Sequence, residues 1–141
     1  MGDVKTVNQM SVRRSDSHGE GWFGAPRGTR RHNGVDLCCD VGTLIASPIW
    51  GEVTKLGYPY ADPSKSSLRY VEVTQGQYKF RFFYVEPIVQ LGDLIEVGDV
   101  LGSSQELGCF YKGITEHVHF EIKVGHDIYI DPTPCVMMGA E

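Results

Sequence analysis

The chain has no apolar run near the roughly 20 residues that a membrane-spanning helix requires, so neither such a helix nor a membrane partner is expected. It has no excess of basic charge: Lys and Arg total 13 against 18 Asp and Glu, a formal net charge of −5 over 141 residues. That balance lacks the basic footprint of a nucleic-acid binder. No CxxC pair occurs among Cys38, Cys39, Cys109 and Cys135, which argues against a cysteine zinc site. Free thiols are the expectation, with a bridge from Cys38 or Cys39 to Cys109 or Cys135 as the alternative. The first residues, MGDVKTVNQM, lack the apolar stretch of a secretory signal peptide. Three routes remain: action where the chain is made, exit by another route, or a leader already removed. There is no internal repeat, low-complexity tract or linker, and nothing fixes an oligomeric state.

What is present is glycine, 17 of them, with 7 Pro. A chain that turns so often favours many short strands over long helices. The expected fold is all-β, a compact antiparallel sheet or barrel-like sandwich with loops forming a groove at one end. Residues 1–15 show no period and are expected as an extended or loosely docked arm, leaving 16–141 as a single domain. Tyr78 to Val85 (YKFRFFYV) alternates in its first half, and Leu68 to Thr74 (LRYVEVT) places Val71 and Val73 on one face. The QGQ between them predicts a hairpin. Turns are expected at Gly92-Asp93, Gly98-Asp99 and Gly125 to Asp127, and a helical turn near Gln105 to Leu107. Arg27 to Arg31 form a basic cluster, either a solvated loop or a rim of charge beside an anionic substrate.

The chemistry concentrates in two short motifs. In HVH, His117 and His119 lie two apart, so on a strand both imidazoles share a face about 6–7 Å apart. In HNGVD, His32 and Asp36 lie four apart, and Gly34 permits a tight bend that turns both toward one point. Imidazoles and a carboxylate suit Zn²⁺, which in catalytic sites keeps one position for water. The remaining His is then free to act as base or acid. Either motif alone also fits surface side chains on a pleated face; the pair in one small domain is the stronger signal.

HNGVD, then GDLIEVGDVLG, then HVHFE resemble the lysostaphin-type zinc metallopeptidases. The likeness runs from about Asp16 to Pro134 and is carried by DSHGEGWFGAPRGTRRHNGVD, ASPIWGEV, VGDVLG, EHVHFEI and IDPTP. It implies a small antiparallel β fold with a long groove and one Zn²⁺ per chain, held by His32, Asp36 and His119. It implies that His117 is catalytic and that the substrate is a peptide bond of bacterial peptidoglycan, in a glycine bridge or a D-alanyl crosslink. The implied setting is a phage lysis enzyme or virion component, or a secreted or periplasmic antimicrobial wall hydrolase whose leader is removed. One element departs from the pattern. Phe82-Phe83-Tyr84-Val85 stands where many members carry a tyrosine-x-His-Leu segment, which puts Tyr84 in the place of a catalytic His. The vertebrate leukocyte chemotaxins are similar, with a zinc site and a tyrosine in a like position. They imply the alternative of a zinc-stabilised binding or signalling domain without catalysis. In the enzymatic reading, the Tyr84 hydroxyl is the donor to the oxyanion.

Other residues are candidates for lesser parts. Tyr58, Tyr60 and His18 are candidates for the groove wall. Asp131 and Glu121 are carboxylates that could orient a ligand His from behind, and for Asp131 the alternative is a turn cap. His126 is expected to be solvated in its turn, and Trp22 and Phe23 to pin the 16–34 loop.

Overall fold

In the computed structural model, residues 3–28, 30–126 and 128–137 are described. Alternation in the sequence becomes a two-residue hairpin: Tyr70–Gln75 pairs antiparallel with Tyr78–Phe83, Gln75 opposite Tyr78. Gly76, at φ 59°, supplies the left-handed residue that the turn needs. Val71, Val73, Phe80 and Phe82 point inward and are buried.

This hairpin is the centre of a large antiparallel sheet. Its strand order is Leu94–Ile95, Gly51–Gly57, Tyr70–Gln75, Tyr78–Phe83, His117–Val124, Val35–Cys38 and Ser11–Val12. Ile128–Ile130 adds to the far half of His117–Val124. A second sheet is ordered Val4–Lys5, Leu44–Ala46, Val100–Ser104, Val85–Pro87. Within it Val4–Lys5 runs parallel to Leu44–Ala46. One apolar core draws on both sheets: Val35, Leu37, Val71, Phe82 and Phe120 from the large one, Ile45, Val85 and Leu101 from the small one. The Phe82 and Phe120 rings stack at 5.1 Å between centroids. The architecture is therefore all-β and antiparallel apart from that single pair, and neither sheet closes into a barrel. No helix among the described residues is long and apolar enough to cross a membrane.

Two local expectations are corrected. The first residues are not a loose arm, because Val4–Lys5 and Ser11–Val12 are each paired into a sheet and Val7 and Met10 are buried. The helical turn near Gln105 to Leu107 does not form. There the Gln105 N–H donates to the Tyr84 carbonyl, and its side chain bridges the Arg69 N–H and the Ser67 carbonyl. Helical turns occur instead at Val7–Gln9, Pro63–Lys65 and Thr133–Met137. The Pro63–Lys65 turn interrupts the polar 57–67 loop because Asp62 accepts from the Ser64 N–H at its start. All four cysteines are free thiols.

Candidate metal centre and groove

Register brings the two motifs together. His119 stands directly opposite Asp36 across the pair formed by His117–Val124 and Val35–Cys38. His32 enters from the loop before that strand. The loop passes so close to the neighbouring strand that a Cβ on Gly34 would sit 2.3 Å from the Phe120 carbonyl oxygen and 3.0 Å from the His119 ring. The glycine of HNGVD is thus required by close approach rather than by an unusual φ.

The result is a triangle of donor atoms. His32 Nε2 lies 3.0 Å from His119 Nδ1 and 3.1 Å from Asp36 Oδ1, and His119 Nδ1 lies 3.1 Å from the same oxygen. Each donor is held from behind. His32 Nδ1–H donates to the Trp22 carbonyl at 3.0 Å, leaving Nε2 its lone pair. Asp36 Oδ2 accepts from Arg13 Nε at 3.2 Å and Nη2 at 3.0 Å. His119 Nε2 donates to Glu121 Oε1 at 2.8 Å, leaving Nδ1 for the triangle.

Two imidazole nitrogens and a carboxylate oxygen aimed at one point leave a place for a proton or a cation. The donor set is that of zinc, and a tetrahedral ion with bonds of about 2 Å would space such donors about 3.3 Å apart. The residues present fit that ion. Without a metal, a proton takes the place. Burial works against the His119 cation, but its hydrogen bonds to Asp36 and Glu121 outweigh this and push it up to about 9. Burial also pushes the Asp36 carboxyl up, yet contacts with His119, His32 and His117 hold it well below the usual carboxylate range.

His117 is buried beside the triangle. Its Nδ1–H donates to the Thr115 carbonyl at 2.7 Å, and its Nε2 lies 3.5 Å from Asp36 Oδ2. Burial lowers its pKa, so it is a neutral base at pH 7. Tyr84 meets the His117 ring edge-on at 5.6 Å and shares a 2.8 Å hydroxyl hydrogen bond with Tyr60. Tyr84 has φ 68°, the one positive φ outside glycine among the described residues. That costs a tyrosine on the order of 1–3 kcal/mol, and it falls where the chain leaves the large sheet for the small one. Burial pushes the Tyr84 phenol well above its usual range, and the Tyr60 hydroxyl up to about 12, so both stay protonated donors.

A groove of about 350 Å³ runs over the triangle, lined among others by His18, Tyr60, Tyr84, Tyr111, Leu107 and Ile114. Of the residues expected there, Tyr58 is not in the lining. It is exposed, with the Arg69 guanidinium over its ring at 4.2 Å. His18 lies at the rim, its Nε2 2.8 Å from the Lys112 carbonyl. Asp131 holds no histidine and caps the Thr133 N–H at 2.9 Å. His126 is exposed in its turn. Trp22 is largely exposed, while Phe23 packs against the core.

Two arginines behind the site carried no motif in the sequence. Arg13, 3% exposed, comes from the presumed arm to clamp Asp36 and also pairs with Asp16 at 2.8 Å. Arg81 stands opposite both Glu121 and Glu72 in the ladder and binds them at 3.4 and 2.8 Å. The one available signal was cross-strand charge pairing, which is readable only once the register is known.

Residues 22–129 match the family described as "Domain of unknown function (DUF8155) N-terminal domain". Leukocyte cell-derived chemotaxin-2 of Bos taurus is 32% identical over 110 residues, 78% of this chain and 72% of that protein. The lysostaphin catalytic domain of Staphylococcus simulans superposes with a TM-score of 0.68 at 20% identity, over 92% of this chain and 94% of that one. The chain belongs to this domain family and to the family of chemotaxin-2, and it has the lysostaphin-type fold. A zinc containing peptidase from Vibrio cholerae shares the lysostaphin-type fold at a TM-score of 0.58 and 23% identity, over 79% of this chain and 33% of that one. The chain spans about half of full-length lysostaphin, 52%.

Proposed function

We propose that the protein is a zinc-dependent endopeptidase that cleaves peptide bonds in bacterial peptidoglycan. The observation that carries the reading is the triangle of His32, Asp36 and His119 with neutral, buried His117 beside it at the floor of a groove. His32, Asp36 and His119 would hold one zinc ion. When bound, zinc supplies a Lewis acid and lowers the pKa of water to about 7. The chain supplies the rest. His117 Nε2 takes the proton of the attacking water, and returns it to the leaving amine as the C–N bond breaks. The Tyr84 hydroxyl donates to the oxyanion of the tetrahedral intermediate. For this Tyr60 must donate to Tyr84, which gives Tyr60 a positioning part. The strained backbone at Tyr84 supports this, since such strain gathers at functional sites. The place of action is the cell wall, reached as a phage lysis or virion enzyme or as a secreted or periplasmic hydrolase.

A second reading has its own observation: the 32% identical relatives are chemotaxins by name. In it the triangle stabilises a binding domain and no bond is cut. Digestion of defined crosslinked wall fragments, followed by mass spectrometry, separates the two. New amine and carboxyl termini that disappear in His117→Ala support the peptidase. Intact fragments after incubation with zinc-loaded protein favour the binding domain.

A further inference from the structure

The groove carries an unbalanced group of arginines at one side. Pro26–Arg27 and Arg30–Arg31 form a small antiparallel ladder in which Arg27 stands directly opposite Arg30. Like charges placed so are destabilising, and of the two only Arg27 has an acid near it, Asp36, with none paired to Arg30 among the described residues. The two acids of the groove lining are already engaged: Asp36 by Arg13 and three histidines, Glu121 by His119 and Arg81. Arg27 is turned inward, donating to the Glu20 and Pro26 carbonyls and lying 3.6 Å from Asp36 Oδ2. Arg31 is exposed and uses one N–H, toward the Gly24 carbonyl. Arg30 is exposed, and its side chain has no hydrogen bond or ion pair among the described residues. Arg30 and Arg31 both line the groove, and most of their guanidinium donors are unengaged among the described residues, in a chain whose net charge is −5. A planar fork of this kind matches a carboxylate with two parallel hydrogen bonds.

We infer that Arg30 and Arg31 select a peptide ligand carrying a free carboxylate, so that charged stem peptides are preferred over neutral bridges. This rests on the groove being a peptide site. It sets stem-peptide crosslinks, with their free carboxyls, ahead of glycine bridges, which have no charge to offer. The source of the charge is the peptide rather than a glycan, because the arginines line the same groove as the triangle and His117, where the proposed reaction cuts a peptide bond.

The test is calorimetric binding to the zinc-loaded full chain carrying His117→Ala, which holds ligand without turnover. The ligands are a crosslinked stem-peptide dimer with its carboxyls free and the same dimer amidated. The free form should bind about tenfold tighter, and the preference should shrink with added salt. In Arg30→Gln/Arg31→Gln the ratio of the two affinities should fall toward one. Both positions are exposed, and a circular dichroism spectrum like the parent's shows that folding is kept. Equal binding of the two dimers overturns the inference, as does a preference that survives in the double variant. So does a sulfated heparin-type oligosaccharide that displaces the free dimer at equal concentration, which would mark an anionic-glycan site. Parent-protein cleavage is followed in parallel. Charge preference without cleavage removes the peptidase reading and keeps this one, and cleavage without charge preference does the reverse.

Discussion

His119 spends both ring nitrogens, one on Glu121 and one on the donor triangle, so its tautomer is set by a carboxylate and not by the metal alone. Outer partners of this kind typically change metal affinity by about 10–100-fold when removed. Glu121→Ala should therefore weaken zinc binding by about that factor while leaving the three donors in place, as chelator competition would show. An unchanged affinity would mean that Glu121 serves only the Arg81 pair. Tyr84→Phe keeps the ring and removes one hydroxyl. It should retain full zinc and lose on the order of 10²–10³ in turnover if that hydroxyl is the oxyanion donor. Cleavage at the parental rate would end its catalytic part. The two motifs, HNGVD and HVH, were legible as a donor set at this scale because their spacings are local. Arg13 was not, because an arginine in an aperiodic segment looks the same whether it clamps a buried carboxylate or dangles in water.

Strands place these residues through register, which no local spacing encodes. The alternation in YKFRFF and VHFEI announced strands, but it could not say that Arg81 would stand between Glu72 and Glu121. Those three side chains make a buried charged row, with Thr54 donating to the far oxygen of Glu72 at 2.8 Å. Removing its cation would leave Glu72 buried with only Thr54 and Glu121 buried with only His119. Arg81→Met should cost about 3–5 kcal/mol, the usual result of leaving buried charge unpaired. Urea unfolding at pH 7 measures it, and a loss under 1 kcal/mol would show that the row is solvated. At Gly34 the same dependence on pairing appears as crowding. A Cβ there meets the Phe120 carbonyl, so Gly34→Ala must push HNGVD off the strand and should weaken zinc binding more than it lowers overall stability. The expected helical turn at Gln105 fails for a related reason, since its backbone and side chain are claimed by Tyr84, Arg69 and Ser67, all distant in sequence.

Across the whole molecule, the proposed zinc site would couple metal, proton and stability. In the metal-free protein the His119 cation is favoured on folding, with its pKa raised from the ordinary 6.5 to about 9. Its contribution is fully present below pH 6.5 and is lost as pH rises through 9. Thermal stability of the metal-free chain should therefore fall from pH 6.5 to pH 9, and saturating zinc, which takes the proton's place, should remove that slope. At the acid end Asp16 acts with the opposite sign. Burial pushes it up, but the Thr115 and His18 N–H groups and Arg13 outweigh that and leave it at about 2. Its contribution is present above the ordinary 3.8 and is lost as pH falls toward 2. Both groups tie the N-terminal segment and the strand His117–Val124 to one site, so loosening either end should be felt in zinc affinity.

The measurement closest to the central claim is a zinc add-back titration. Metal is stripped from the full chain with a chelator, and cleavage of a defined peptidoglycan fragment is followed by mass spectrometry as zinc is returned. Cleavage should be absent without metal, rise in proportion to bound zinc and level off at one ion per chain, and Asp36→Ala should neither bind zinc tightly nor recover. Tight binding of one zinc per chain with every fragment left intact would contradict the account and leave a zinc-stabilised binding domain in its place.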